Sequence, residues 1–178
     1  MYQNCISQQQ LRLEVDMRDV WAKHVWWTRE VILGIIHNTP RLDLRVAKLL
    51  KNPAEMAAVF APYISAPAQK RMIELFTTHL KQGGDLVTAA KAGNTQKVNE
   101  ITKNWYSNAE DIARFFSEIN PNYKFGEVRM MMFEHLGLTI AEATAELAGN
   151  YQESIDVFDQ IQAEAAQMAD YFTAGLVK

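Results

Sequence analysis

The sequence predicts an all-α protein, an antiparallel helical bundle of four to five long helices plus two short ones. Three observations predict it. Apolar residues recur at three- and four-residue spacing through five long segments, which gathers them on one helical face. No stretch of useful length alternates apolar and polar residues as a half-buried strand would. Asn, Gly and Pro cluster at the joints between the periodic segments. The chain has 178 residues, 48% hydrophobic and 22% charged. Those proportions suit a single domain over residues 1–178 with a sizeable core.

Residues 1–6 read as a frayed end. Over residues 7–37 the apolar positions run Leu11, Val15, Val20/Trp21, His24, Trp27/Thr28, Val31 and Ile35, which is helical spacing. Asn38-Thr39-Pro40 ends this helix, because proline disfavours helix in the residue before it. Residues 41–51 form a short amphipathic helix with Leu42, Val46, Leu49 and Leu50 inward and a basic stripe of Arg41, Arg45 and Lys48 outward. That stripe reads as a solvated face rather than an anion-binding edge. Asn52-Pro53 restarts the chain, with Pro53 suited to a first helical turn, and a second short helix runs to Phe60. Residues 61–67 form a loop.

A long helix over residues 68–92 carries Met72, Leu75/Phe76, His79, Leu86/Val87 and Ala90. Gly83-Gly84 inside it cost about 1 kcal/mol each relative to alanine and permit either a kink or a close helix approach. Gly93-Asn94 supplies the C-cap. Residues 95–119 form the next helix, with Val98, Ile101, Trp105, Ile112 and Phe115/Phe116 inward and Asn108 and Asp111 beside that stripe. After the Asn120-Pro121-Asn122 break, residues 125–148 carry Val128, Met131/Met132, His135, Leu138/Thr139, Glu142 and Ala145. The last helix, over residues 151–177, carries Ile155, Phe158, Ile161, Ala165, Met168/Ala169 and Phe172. Loops this short make sequential helices antiparallel.

Composition excludes several functions. A net charge of −3 argues against nucleic acid, whose phosphates call for a basic surface. The longest apolar run is cut by Arg29 and Glu30, short of the roughly 18 residues of a membrane span. The start, MYQNCISQQQLRLEVD, has no basic segment followed by an apolar run. The single cysteine, Cys5, fits a reducing compartment. A cytoplasmic protein is expected.

Three histidines stand out. His24, His79 and His135 each fall near the middle of a long helix, on its apolar face. Helices of similar length that share a midplane bring their midpoints to one height whichever way each runs. The midpoint of the last helix is near Glu164, on the stripe Val157, Ile161, Glu164, Met168 and Tyr171. Three imidazoles and a carboxylate are a plausible ligand set for one transition-metal ion, iron, zinc or manganese. Glu164 or Asp111 would be the fourth ligand. Asp111, Asn108 or Thr139 would orient a histidine from behind. A di-iron site is not expected, since the Glu three residues before a His is replaced by Trp21, Phe76 and Met132. His37, at a helix end, reads as a C-terminal cap. Arg29 reads as a structural cation paired with Asp111 or Asp170 and stacked on an indole. Met130-Met131-Met132, with Met168, reads as adaptable core filling. There is no phosphate-binding glycine loop, nucleophile elbow or zinc-ligand cysteine pair.

Several motifs together carry a resemblance. Trp21-x-x-His24-x-x-Trp27-Thr28-Arg29, Leu49-Leu50-x-Asn52-Pro53, Trp105-Tyr106-x-Asn108-Ala109-x-Asp111-Ile112-Ala113, Asn120-Pro121, His135-Leu136-x-Leu138-Thr139 and Met168-Ala169-Asp170 span nearly the whole chain. In these the chain resembles a family of small all-helical proteins common in spore-forming Gram-positive bacteria. The resemblance implies an all-helical single domain and brings no defined activity. That family often has an acidic residue just before the first histidine, where this chain has Ala22 and Lys23.

Two functions follow as expectations. In the first, His24, His79 and His135 bind one metal ion or another small ligand at mid-bundle. In the second, the bundle is a cofactor-free structural or interaction protein with individually hydrogen-bonded histidines. The second would suit a homo-oligomer joined through the tryptophan-rich first helix, where Trp26 cannot share the inner stripe with His24.

Overall fold

The structure, a computed structural model, describes residues 6–177; Cys5 lies outside them. It is all α among the described residues. Five long helices, α1 (Gln8–His37), α4 (Ala66–Lys91), α5 (Thr95–Ile119), α6 (Phe125–Leu147) and α7 (Tyr151–Leu176), accompany two short ones, α2 (Leu42–Leu49) and α3 (Asn52–Phe60). No described helix is long and apolar enough to cross a membrane.

The helix ends have local causes. Ser7 Oγ accepts from the Gln10 N–H while the Gln10 side chain accepts from the Ser7 N–H, a reciprocal pair that starts α1. Asn38 stops α1 by adopting the left-handed conformation at φ 52°, one of the few residues that tolerates it. Ser65 caps α4, so that helix begins at Ala66 rather than at residue 68. Pro67 then lies in the first turn, where its missing N–H breaks no helical hydrogen bond. The Gly83-Gly84 pair does not interrupt α4. A Cβ at Gly83 would sit 3.2 Å from the Trp105 ring, so this glycine serves a close approach and not a kink.

The five long helices close a ring. α1 packs on α4, α4 on α5, α5 on α6, α6 on α7 and α7 back on α1. Arg18 meets Asp170 and Arg29 meets Ser154, so α1 and α7 are antiparallel. The pairs Arg129–Glu110 with Phe133–Tyr106, and His135–Glu164 with Tyr171–Glu127, establish the same for α5/α6 and α6/α7. For α4/α5 it follows from His79 on Asn108 and Gly83 on Trp105. α1 and α4, which are not consecutive in the chain, run parallel: Trp21 packs on Phe76, and Lys91 Nζ donates to the Ile35 carbonyl. A ring of five cannot alternate direction at every step. The one parallel step falls where α2 and α3 return the chain from the end of α1 to the start of α4. In consequence α1, α4 and α6, the three histidine-bearing helices, all point the same way.

The core is uneven along this axis. Toward the N-terminal halves of α1, α4 and α6, called the lower half below, it is continuous and aromatic. Trp21 stacks on Phe172 at 5.7 Å between centroids, and Phe172 lies 4.3 Å from Phe116. Gly175 lets Tyr123 in; a Cβ there would fall on the ring, whose hydroxyl donates to the Phe172 carbonyl at 2.6 Å. Toward the upper half the buried apolar residues divide into two small clusters, Val31, Leu49 and Leu80 on one side and Ile32, Val87 and Ala143 on the other.

The inward stripe of α1 starts at Leu13 and Met17, so Leu11 and Val15 are exposed instead. Trp26 does face outward, at 52% exposure. Of the methionine run only Met132 is buried, and Met130 lies on the surface.

Candidate functional site

The three mid-helix histidines lie in one layer where the solid and divided parts of the core meet. All are nearly inaccessible, at 2–3% exposure. The His24 and His135 rings are 5.6 Å apart between centroids, and His79 and His135 are 6.5 Å apart.

Each ring is held from behind by a later helix, the next one in the chain for His79 and His135 and the next but one for His24. His24 Nδ1 is 3.0 Å from Asn52 Oδ1 at the start of α3, His79 Nδ1 is 2.9 Å from Asn108 Oδ1 on α5, and His135 Nδ1 is 3.0 Å from Glu164 Oε2 on α7. The partner comes 28 residues after the histidine in the first pair and 29 in the other two. The same helix-and-return unit is thus used three times.

The two amides settle the protonation of their rings. Asn52 Nδ2 donates to the Val20 carbonyl at 3.0 Å, and Asn108 Nδ2 donates to the Leu75 carbonyl at 3.2 Å. A carbonyl cannot donate, so in both cases the amide nitrogen faces it and the amide oxygen faces the ring. Nδ1 must therefore carry the proton, and Nε2 keeps its lone pair. The Glu164 carboxylate can only accept, so it likewise holds a proton on His135 Nδ1. Burial pushes His24 and His79 down to about 3 in pKa, and the nearby His135 adds to the effect against the opposing Asn bonds. Both are neutral at physiological pH, the form that binds a metal.

Immediately above the layer lies a cavity of about 120 Å³ lined by all three histidines. Thr28, Val31, Ile32, Leu80, Gly83, Trp105, Thr139 and Ala143 are among its other walls. Asn52, Asn108 and Glu164 do not line it, so they sit on the far side of the rings. The hydrogen bonds of the three imidazoles all involve Nδ1, which leaves each Nε2 for the cavity side. As the side chains stand, no group of three or more His, Cys, Asp or Glu among the described residues is disposed to hold a metal ion. The spacing explains this. Metal–nitrogen bonds of about 2.0–2.1 Å bring the centroids of co-ligating imidazoles to about 5 Å. The rings here are wider than that, the His79–His135 pair more so, and would draw inward around an ion.

The other expected site residues go elsewhere. Glu164 is buried but stands behind His135, in the orienting role rather than on the cavity; its Oε1 is buried with no partner among the described residues. Asp111 is exposed, because Asn108, one turn earlier, takes the inward position. Thr139 does line the cavity and donates its hydroxyl proton to the His135 carbonyl, as Thr28 does to the His24 carbonyl.

Arg29 is structural, with different partners from those expected. Its guanidinium meets Glu142 at 2.5 Å and the Ser154 hydroxyl and carbonyl at 3.3 Å, and it lies over Phe158 rather than an indole. Asp170 instead pairs with Arg18. Burial pushes the Glu142 carboxyl up to about 6 against the pull of Arg29. His37 binds Glu146 at 2.6 Å. In the basic stripe Arg45 pairs with Glu30 and Lys48 with Glu55, which favours a solvated face.

Asn52 is the site residue that motif reading passes over, since Asn-Pro reads as punctuation. The nearly equal spacing of the three histidine–partner pairs is the signal that could have found it. No protein-family model matches this chain, and neither a curated protein nor a solved structure matches it significantly.

Proposed function

We propose that this protein binds a single transition-metal ion through Nε2 of His24, His79 and His135, with the remaining coordination position open to the cavity. One observation carries the reading. Three separate helices each supply an acceptor for Nδ1–H, so three imidazoles held from behind line one space with Nδ1 already engaged. Histidines placed only to fill a core have no reason to share a tautomer and a cavity. Ligating histidines generally have such a partner behind the ring.

An all-imidazole donor set suits zinc or iron better than manganese, which prefers oxygen ligands. An ion with three protein ligands and one free position supplies Lewis acidity to whatever occupies that position. The chain's own part is to hold the three rings from behind and exclude other ligands. A cytoplasmic location belongs to the same proposal.

The second reading is a cofactor-free structural or interaction bundle. The individually satisfied Nδ1 atoms, the wide ring spacing and the exposed Trp26 favour it. Elemental analysis of untagged protein, with and without His79→Ala, separates the two. The metal reading expects near-stoichiometric zinc or iron in the wild type and its loss in the variant. No metal in either sample, with a folded variant of lower Tm, overturns it in favour of the second.

A further inference from the structure

We propose that the cavity above the histidines binds a small, uncharged, mainly hydrocarbon molecule with one polar group at its histidine end. This names the ligand class of the site proposed above, and it rests on that reading only for the polar end.

The walls set the class. No Asp, Glu, Lys or Arg lines the cavity. A charged ligand would leave water for an enclosure whose side chains offer no counter-charge. Polarity is greatest at the end lined by the three histidines, Thr28 and Thr139; Thr102 and Thr144 are the other hydroxyl residues of the wall. Thr28 and Thr139, one turn along from His24 and His135, spend their hydroxyl protons on their own helices and keep oxygens that accept. Trp105 adds an aromatic wall. A hydroxyl or carbonyl group suits that mixture, and the rest of the ligand must be hydrocarbon.

Size and access agree. The volume of about 120 Å³ is near that of engineered apolar cavities of about 150 Å³ that take up benzene. The room is left by small side chains on the two helices flanking the space. Gly83, Gly84 and Ala90 on α4 face Ala143 on α6 across it, and a Cβ at Gly84 would meet nothing within 4 Å. Thr144 and Leu147 continue the lining to the end of α6, where Leu147 is 38% exposed, so an apolar path reaches solvent.

The test uses toluene and benzyl alcohol against benzoate and benzylammonium, which share a ring and differ in charge. Binding is read by ligand NMR and by Tm, on metal-free and zinc-loaded protein. On the metal-free protein, saturable binding of the two neutral compounds, with none by the two ions, is the expected result. Ala143→Leu should abolish toluene binding while keeping helical content and zinc stoichiometry; Ala90→Leu, on the facing helix, repeats the test should the first variant fold poorly. Absence of saturable toluene binding to the wild type in both states overturns the inference, as does equal binding of benzoate to the metal-free protein or undiminished binding by a folded filled variant. His79→Ala keeps the outcomes distinct. Toluene bound by a protein that takes up no zinc refutes the metal reading alone. Stoichiometric zinc without toluene binding refutes the ligand class alone.

Discussion

The halves of the bundle on either side of the histidine layer are built from the same five helices and packed differently. Below the layer, Trp21, Phe60, Phe76, Phe116 and Phe172 interlock with ring centroids 4.3 to 6.3 Å apart. Above it, Val31, Leu49 and Leu80 pack apart from Ile32, Val87 and Ala143, and the cavity lies among them. Large aromatic residues fill one half, while the other is lined mostly by aliphatic and small residues, with Trp105 its one large ring. Hydrophobic burial alone would favour filling both. The histidines sit at the boundary with their backs supported and their free nitrogens toward the hollow side, so the lower half serves as the platform and the upper half as the chamber.

Core truncations test that division most strongly. Phe116→Ala, in the solid half, is expected to cost about 3–5 kcal/mol. A matched pair is sharper. Val128, fully buried below the layer, and Val87, beside the cavity, each lose the same two methyl groups on mutation to alanine. Val128→Ala should carry a cavity cost on top of the transfer cost, whereas Val87→Ala should stay near about 1.5 kcal/mol of transfer alone. Urea unfolding of the three variants measures this, and equal losses for the two valines would remove the distinction between the halves.

Next in size is the support behind the rings. Asn108→Ala leaves the His79 Nδ1–H without a partner and removes the second bond to the Leu75 carbonyl, which keeps its helical one. The buried orphan costs about 1–3 kcal/mol, and loss of an orienting partner lowers metal affinity by about 10–100-fold. Calorimetric zinc titration beside urea unfolding reads both. A stability loss with unchanged zinc affinity would make Asn108 a packing residue and nothing more.

Acid should act on the boundary layer. His24 and His79 have folded-state values of about 3, below their ordinary 6.5. The unfolded chain therefore binds more protons than the folded one between those values. Their contribution to stability is present above about pH 6.5 and is lost as pH falls toward 3. Glu142, raised to about 6 from 4.5, acts with opposite sign: its contribution is greatest at low pH and falls as pH rises from 4.5 to 6. Urea midpoints from pH 7.5 to about 5 should fall for the wild type, and fall less steeply for His79→Gln. Parallel profiles would show that His79 carries no linked proton.

What could be read from the sequence depended on whether a residue's role is set by its own helix or by another. The heights of His24, His79, His135 and Glu164 follow from position along helices of similar length, so their meeting in one layer was foreseeable. So was the inward face of Asn108. The alternative for Arg29 could not be settled, because several carboxylates lie within its reach and only the α1/α7 register gives Asp170 to Arg18 and leaves Glu142 for Arg29. The register of α1 was misread in its first turns, where Leu11 and Val15 are as apolar as Leu13 and Met17, and only packing on α7 and α3 chooses between the stripes. The parallel α1/α4 step follows from an odd ring of helices, and no single segment encodes that.

The smallest expected effect probes the one asymmetry within the layer. His24 and His79 are backed by amides that also donate to the carbonyl four residues before the histidine, Val20 and Leu75. The corresponding carbonyl on α6 belongs to Met131. A carboxylate has no proton to give it, and Glu164 Oε1 is left buried without a partner. Glu164→Gln keeps the shape and supplies the missing donor. Stability should therefore change by less than about 1 kcal/mol, toward the stable side if the amide reaches that carbonyl. Metal affinity should nonetheless fall, because a neutral acceptor makes His135 a weaker base than a carboxylate does. Unfolding and zinc titration of this variant separate the two roles. A large loss of stability would mean that Glu164 serves as the charged half of a buried ion pair with His135. Unchanged stability with weaker zinc binding would mean that the negative charge is kept for the metal.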